Sequence, residues 1–270
     1  MHPSISINTL SLAAEGLGKQ LDTVARLGAR AASPDLEQVH DFGIPATARH
    51  LRDVRLEVAA LTHRAFTFAT PAATAAGRER LMRTIDIAAQ IGAKSIVLTT
   101  GERGDFTWPE AAARFAEAIA PCSQHARVAG ITLGIEQPSH LYADESIAHR
   151  LSDSLRIADQ AKISVTLDIF ACWFDADIDE MIAAAGLRIN LVQVSDYVYG
   201  DRGLPCRAVP GDGAVPLERL IPAIALSGFN GWFDLEIIGP RLQAEGQEPG
   251  LTRAASYIGS LLNSADVVAT

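Results

Sequence analysis

Eight short runs rich in β-branched and aliphatic residues recur along the chain: ISINT (5–9), ARAAS (29–33), RLEVAAL (55–61), KSIVLTT (94–100), ITLGIE (131–136), ISVTLD (163–168), NLVQVS (190–195) and WFDLEII (232–238). Most read as nearly unbroken apolar stretches, the pattern of strands covered on both faces, as in a parallel sheet. Between them lie longer segments with apolar residues at helical spacing, such as LGKQLDTVARLGA, AAGRERLMRTIDIAAQIGA and PEAAARFAEAIAPCSQHARVAG. Gly28, Gly92 and Gly130 close three of these just ahead of the next strand, where a short helix-to-strand loop needs a left-handed stop. Eight strand-plus-helix units of roughly 30 residues predict an α/β fold, a single-domain (β/α)8 TIM barrel spanning residues 1–270. The rival is an open doubly wound sheet, but no GxGxxG follows the first strand, and the GDG at 211–213 has the wrong spacing for a dinucleotide loop.

Against this pattern four polar side chains stand out: Glu136, Asp168, Gln193 and Glu236, each at or near the end of a different predicted strand. An unpaired charge there is costly to desolvate, so something must neutralise it. In a closed parallel barrel the strand ends converge on the face that carries active sites, and a divalent cation is the simplest partner for three carboxylates and one amide. The structural alternative is a set of buried ion pairs, with Glu136 against Arg207 and Asp168 against another arginine or a backbone amide. Further polar residues fall just after predicted strands, namely His63 and Arg64, Glu102 and Arg103, His140, Asp196 and Arg207. Trp108 and Trp173 also fall in or beside these loops, where they offer apolar faces to a sugar ring or simply pack the barrel mouth.

Composition narrows the classes. Apolar residues make up 48% of the 270 residues and charged residues 20%, enough for one large core, and no low-complexity linker divides the chain. The net charge of −9, with basic residues scattered, leaves no footprint for nucleic acid. No stretch approaches the ~20 apolar residues of a membrane span and the amino terminus lacks the pattern of a signal peptide, so a cytoplasmic protein without a membrane partner is expected. Cys122, Cys172 and Cys206 are odd in number and widely spaced, which indicates neither a disulfide framework nor a thiolate metal site.

The chain resembles the xylose isomerase-like TIM-barrel superfamily, from SINTLSL and QLDTVARLGA to the last strand, and most specifically in its second half. Glu136 in LGIEQP, Asp168 in TLDIF and Glu236 in DLEII match the family's metal-binding Glu, Asp and Glu. Gln193 stands where many members have a metal-binding His and where hydroxypyruvate isomerases place Gln. An all-oxygen donor set shifts the expected ion to Mn²⁺ or Mg²⁺, with Co²⁺ also permitted. Arg207, in CRAVPGDG, corresponds to an arginine that contacts substrate hydroxyls in ketose epimerases. One departure is Ala171, where members commonly have a substrate-touching His; His63 is the candidate replacement.

The resemblance implies a small carbohydrate-like substrate, a homo-oligomer in many relatives, and an isomerase or epimerase acting on a ketose or related hydroxycarbonyl compound. In that chemistry an ion polarises the carbonyl, and Glu136 and Glu236 serve as the acid/base pair around an enediolate. Loss of a β-substituent from the same intermediate gives a dehydratase or lyase on a keto-sugar, inosose or dehydroshikimate-like compound. A noncatalytic carbohydrate-binding barrel is the alternative from another class.

Overall fold

The computed structural model describes residues 1–12 and 15–269. Nine parallel strand segments lie in chain order as β1 (Ile5–Asn8), β2 (Ala31–Ser33), β3 (Glu57–Val58), β4 (Leu61–Ala65), β5 (Ser95–Thr99), β6 (Thr132–Glu136), β7 (Ser164–Asp168), β8 (Ile189–Val194) and β9 (Trp232–Leu235). Around them run α1 (Leu17–Arg26), α2 (Leu36–Phe42), α3 (Ile44–Asp53), α4 (Pro71–Ile91), α5 (Trp108–Ala129) and α6 (Leu151–Ala161). The second half adds α7 (Ile169–Cys172), α8 (Ile178–Ala185), α9 (Leu217–Leu226), α10 (Pro240–Glu245) and α11 (Gln247–Ala269).

The sheet order is β3-β2-β1-β9-β8-β7-β6-β5-β4. Its two ends are halves of one bent strand interrupted at Ala59 and Ala60, which turns an apparently open sheet into a cylinder. Ala59 N donates to Ala32 O on one side of the joint, and Lys94 N donates to Val58 O on the other. Isolated bridges link Asp35 to Thr62 and Val58 to Ala93 across the same joint. The TIM barrel expected from the sequence is therefore the fold. Its third strand differs from expectation, because it continues to Ala65 and so contains His63 and Arg64, which were expected in the following loop.

Period-two alternation sorts the strand residues. Ile5 and Ile7 of β1 join Leu133 and Ile135 of β6 and Val165 and Leu167 of β7 in the main core, against helix residues such as Leu21, Leu81, Ile85 and Phe115. A second, small cluster of Ala31, Ala59, Ala60, Val97 and Leu191, with Trp232 packed on it, lies apart from the main core. Gly134 of β6 is fixed by the inside of the barrel, since a Cβ there would collide with the side chains of Asn190 and Thr166.

The helix ends follow their sequence signals. Thr70 caps α4 by accepting from Ala73 N, and Thr107 and Glu110 form a capping box at the start of α5. Gly92 and Gly130 end these two helices in the left-handed conformation, with φ of 77° and 72°. Among the described residues no helix is long and apolar enough to cross a membrane.

Candidate active site

The carboxyl ends of the strands open into a cavity of about 200 Å³ lined by Glu136, Asp168, Arg207 and Glu236 on its buried side and by Arg64 and Tyr142 among its more exposed residues. Asp168 ends β7 and caps the one-turn α7, its Oδ1 accepting from Phe170 N at 3.1 Å. Glu136 ends β6, and Glu236 follows β9 directly. Gln193 is paired with Asp168 in the β7–β8 register and is buried.

The centre of this group is held by Arg207. Its Nη1 donates to Asp168 Oδ1 at 2.9 Å and its Nη2 to Asp168 Oδ2 at 2.7 Å, a two-toothed pair. Nη2 also lies 3.1 Å from Glu236 Oε2, and Nη1 donates to Ser195 Oγ at 3.1 Å. The guanidinium stands over the Phe170 ring, 4.8 Å from its centroid. Arg207 thus pairs with Asp168 and Glu236 and not with Glu136, the partner the structural alternative had assigned to it.

A short device holds Arg207 in place. The backbone of Ala208 bridges Asp196 in antiparallel fashion, and Arg207 N donates to Ile238 O at 3.1 Å. The Asp196 carboxylate accepts from the backbone of Tyr197 at 2.8 Å, Gly211 at 3.0 Å, Gly213 at 2.9 Å and Val215 at 3.0 Å. The VPGDG segment is a cradle around this one carboxylate, and a Cβ at Gly213 would collide with it. The amides of 211 and 213, a weak phosphate-binding signal in the sequence, are therefore engaged by the protein itself.

Charge in the pocket is set by burial first. Burial pushes Glu136 well above the ordinary carboxylate range, and the nearby Glu236 and Asp168 push it further, with Arg207 opposing. Glu236 is raised by burial to about 7, with Arg207 the main force pulling it down. Deeper in the barrel Asp234 is raised by burial to about 6, although Ser6, Ser33 and Asn8 all hydrogen-bond to it. Asn8 also donates to Glu236 Oε1 at 3.4 Å, which links the two acids. Asp234 and Glu236 are two apart on one strand end and share a face, a period-two signal in WFDLEII that the sequence reading did not use.

These contacts bear directly on the divalent-ion site expected from Glu136, Asp168, Gln193 and Glu236. The donors suit a hard cation, and Gln193 Oε1 is buried without a hydrogen-bond partner, while Glu236 Oε2 has only its ion pair with Arg207. Both Asp168 oxygens, however, are bound to Arg207. Among the described residues no group of three or more His, Cys, Asp or Glu side chains is placed to hold a metal ion. As arranged, the quartet does not fit a divalent ion; its resident cation is a guanidinium.

Three expected substrate contacts lie elsewhere. His63 is buried on the helix side of β4, its Nδ1 2.9 Å from Thr84 Oγ1 in α4. Trp108 donates from Nε1 to Ile147 O at 2.8 Å and packs on the core at the head of α5. Trp173 stacks with Phe174, Tyr197 and Tyr199, its ring centroid 5.8, 6.5 and 6.4 Å from theirs. None of the three lines the cavity, and Ala171, buried in α7, does not either. Phe170 and Arg64 do line it, and the sequence reading passed over both as specific contacts.

Comparison with known proteins gives the family and the fold. The family model described as xylose isomerase-like TIM barrel matches residues 21–259. A putative hydroxypyruvate isomerase of Streptomyces coelicolor is 35% identical over 60 residues, a match covering 22% of this chain and 19% of that protein. A structure of L-ribulose 3-epimerase superposes with a TM-score of 0.79 at 20% identity, covering 98% of this chain and 96% of that one. The IolI protein, solved with a zinc atom bound, gives a TM-score of 0.81 at 16% identity over 98% of this chain and 99% of that one.

Proposed function

We propose, for a chain that belongs to the xylose isomerase-like TIM-barrel family, that it is an isomerase or epimerase moving a proton on a hydroxycarbonyl compound through an enediolate, with Glu136 and Glu236 as the acid/base pair. The observation that carries this reading is the unequal footing of two glutamates on one cavity. Burial raises both, but at Glu236 the Arg207 Nη2 at 3.1 Å opposes that rise and leaves it at about 7, whereas at Glu136 the nearby Glu236 and Asp168 add to the rise and drive it toward its neutral form. Paired acids pushed apart by their surroundings are the usual arrangement for proton transfer near neutral pH.

In the reaction, the Glu236 carboxylate takes the proton from the carbon beside the carbonyl, and the C–H electron pair moves into the enediolate. Arg207, held by Asp168 and Glu236, contributes its positive charge rather than a free N–H group to the oxygen on which negative charge develops. Glu136 then delivers a proton to the neighbouring carbon while the hydroxyl proton on the deprotonated carbon passes to the former carbonyl oxygen, which is isomerisation, or it delivers the proton to the opposite face of the same carbon, which regenerates the carbonyl and is epimerisation. Phe170 and Ser195 keep the guanidinium in position. No step here is assigned to a metal ion, because the quartet as arranged does not fit one.

Solvent-deuterium wash-in tests the pairing. Incubated in D₂O with a panel of ketoses and hydroxycarbonyl acids, the wild-type protein should label the exchangeable carbon of at least one, and Glu136→Gln and Glu236→Gln should each slow labelling about 100-fold or more. Full exchange in both variants would remove them as acid and base.

A further inference from the structure

The bent third strand places an arginine where no role has been given to one. Between Thr62 and Arg64 the β4–β5 register shifts, so Thr62 pairs with Val97 and Arg64 with Leu98, and His63 is the extra residue of a β-bulge. Arg64 itself is left-handed, with φ of 65°. Left-handed backbone is uncommon for a long side chain and persists only where the surroundings impose it. Here they do: Arg80 of α4 grips the bulge from outside, its Nη2 donating to His63 O at 2.8 Å and its Nη1 to Ala65 O at 3.3 Å.

From the other side Asp35 orients the guanidinium. Its Oδ1 caps α2 by accepting from Glu37 N, and its Oδ2, otherwise buried without a hydrogen-bond partner, lies 3.4 Å from Arg64 Nε. Asp35 therefore faces the Nε side, and no described protein group hydrogen-bonds to either Nη. The bulge turns His63 out under α4 and leaves Thr62 and Arg64 on the cavity wall with Glu136, Arg207 and Glu236. Arg207, by contrast, is already committed to Asp168 and Glu236.

We propose that Arg64 is the residue that selects the substrate, and that the substrate is a hydroxycarbonyl acid whose carboxylate is gripped by the two Nη groups of Arg64 while its carbonyl end faces Arg207, Glu136 and Glu236. This rests on the proton-transfer reading above and deepens it to a substrate class. A paired N–H fork matches a carboxylate in shape and charge. A phosphate is the less suited anion, because the amides at 211 and 213 that would cradle one are bound to Asp196.

Binding measured by calorimetry tests this without turnover, using D-glycerate and glycerol as probes that share a carbon skeleton and differ by the carboxylate. The wild-type protein should bind glycerate at least tenfold more tightly than glycerol. Arg64→Asn, chosen because Asn tolerates left-handed backbone, should abolish that preference in a protein that still melts cooperatively well above the assay temperature, and Arg64→Lys should keep part of it. Glu136→Gln should retain the preference even though it loses proton exchange, so failure of the acid/base assignment and failure of this one read differently. Absence of a glycerate preference in the wild type, whether both probes bind or neither does, overturns the proposal. So does a preference that survives in Arg64→Asn, and so does tighter, Arg64-dependent binding of glycerol 3-phosphate than of glycerate.

Discussion

Arg207 decides what the pocket is. A guanidinium that meets one carboxylate with two teeth and a second at 3.1 Å neutralises in place the charges that burial makes costly. The same contacts set it against any divalent ion, because both would compete for Asp168. Replacing Arg207 with Gln should therefore tighten Mn²⁺ binding by about tenfold or more, roughly 1.4 kcal/mol, as read by manganese electron paramagnetic resonance or calorimetry. Unchanged or weaker Mn²⁺ binding in that variant would show that the arginine and an ion do not share the site. The residue scale also separates what the chain makes legible from what it does not. The quartet was legible because a charge in a buried strand end has few explanations. The partner of Asp168 was not, since Arg207 lies 39 residues away in a loop whose path depends on Asp196.

At the scale of elements, the segment 196–215 works as a clamp. Four backbone N–H groups converge on the Asp196 carboxylate, and the bridge at Ala208 carries that order to Arg207. Asp196→Ala would leave these donors to water or to nothing, a loss of about 3 kcal/mol. Turnover should fall at least tenfold through a misplaced Arg207, measured as solvent-proton exchange at a temperature well below the lowered melting point. Wild-type turnover in the folded variant would show that the loop orders itself without the carboxylate. The β-bulge explains a different failure of sequence reading. His63 was expected in the loop after the third strand, as the replacement for the imidazole missing at Ala171; the strand instead runs through it, and the residue inserted at the bulge turns His63 outward and leaves Arg64 on the cavity wall. No local composition announces a bulge. By contrast, glycine stops and unbroken apolar runs are local signals, and the elements they marked formed where expected.

For the whole molecule, buried titrating groups make stability depend on pH in opposing senses. His63 is held neutral by burial and by Arg80, with its pKa lowered from 6.5 to about 3. The unfolded chain thus takes up a proton below about pH 6.5 that the folded chain refuses, and stability drops as pH falls from there toward 3. The slope from this one group approaches about 1.4 kcal/mol per pH unit. Asp234, raised to about 6, acts in the other direction, its contribution being full below its unfolded value and lost as pH rises through 6. The comparison of His63→Gln with the wild type isolates the first effect. The variant, which cannot titrate at this position, should show a flatter fall in urea midpoint between pH 6 and 4, and parallel curves would mean His63 takes up its proton freely in the fold.

The cylinder is fastened along one line, where the two halves of the third strand each join a different neighbour. That hem is also the stretch bearing Arg64, the side chain left with open donors toward the chamber. Whatever anion it grasps becomes a button across the hem, so occupancy by the proper molecule and integrity of the wall would be one event felt at both ends of a single peptide segment.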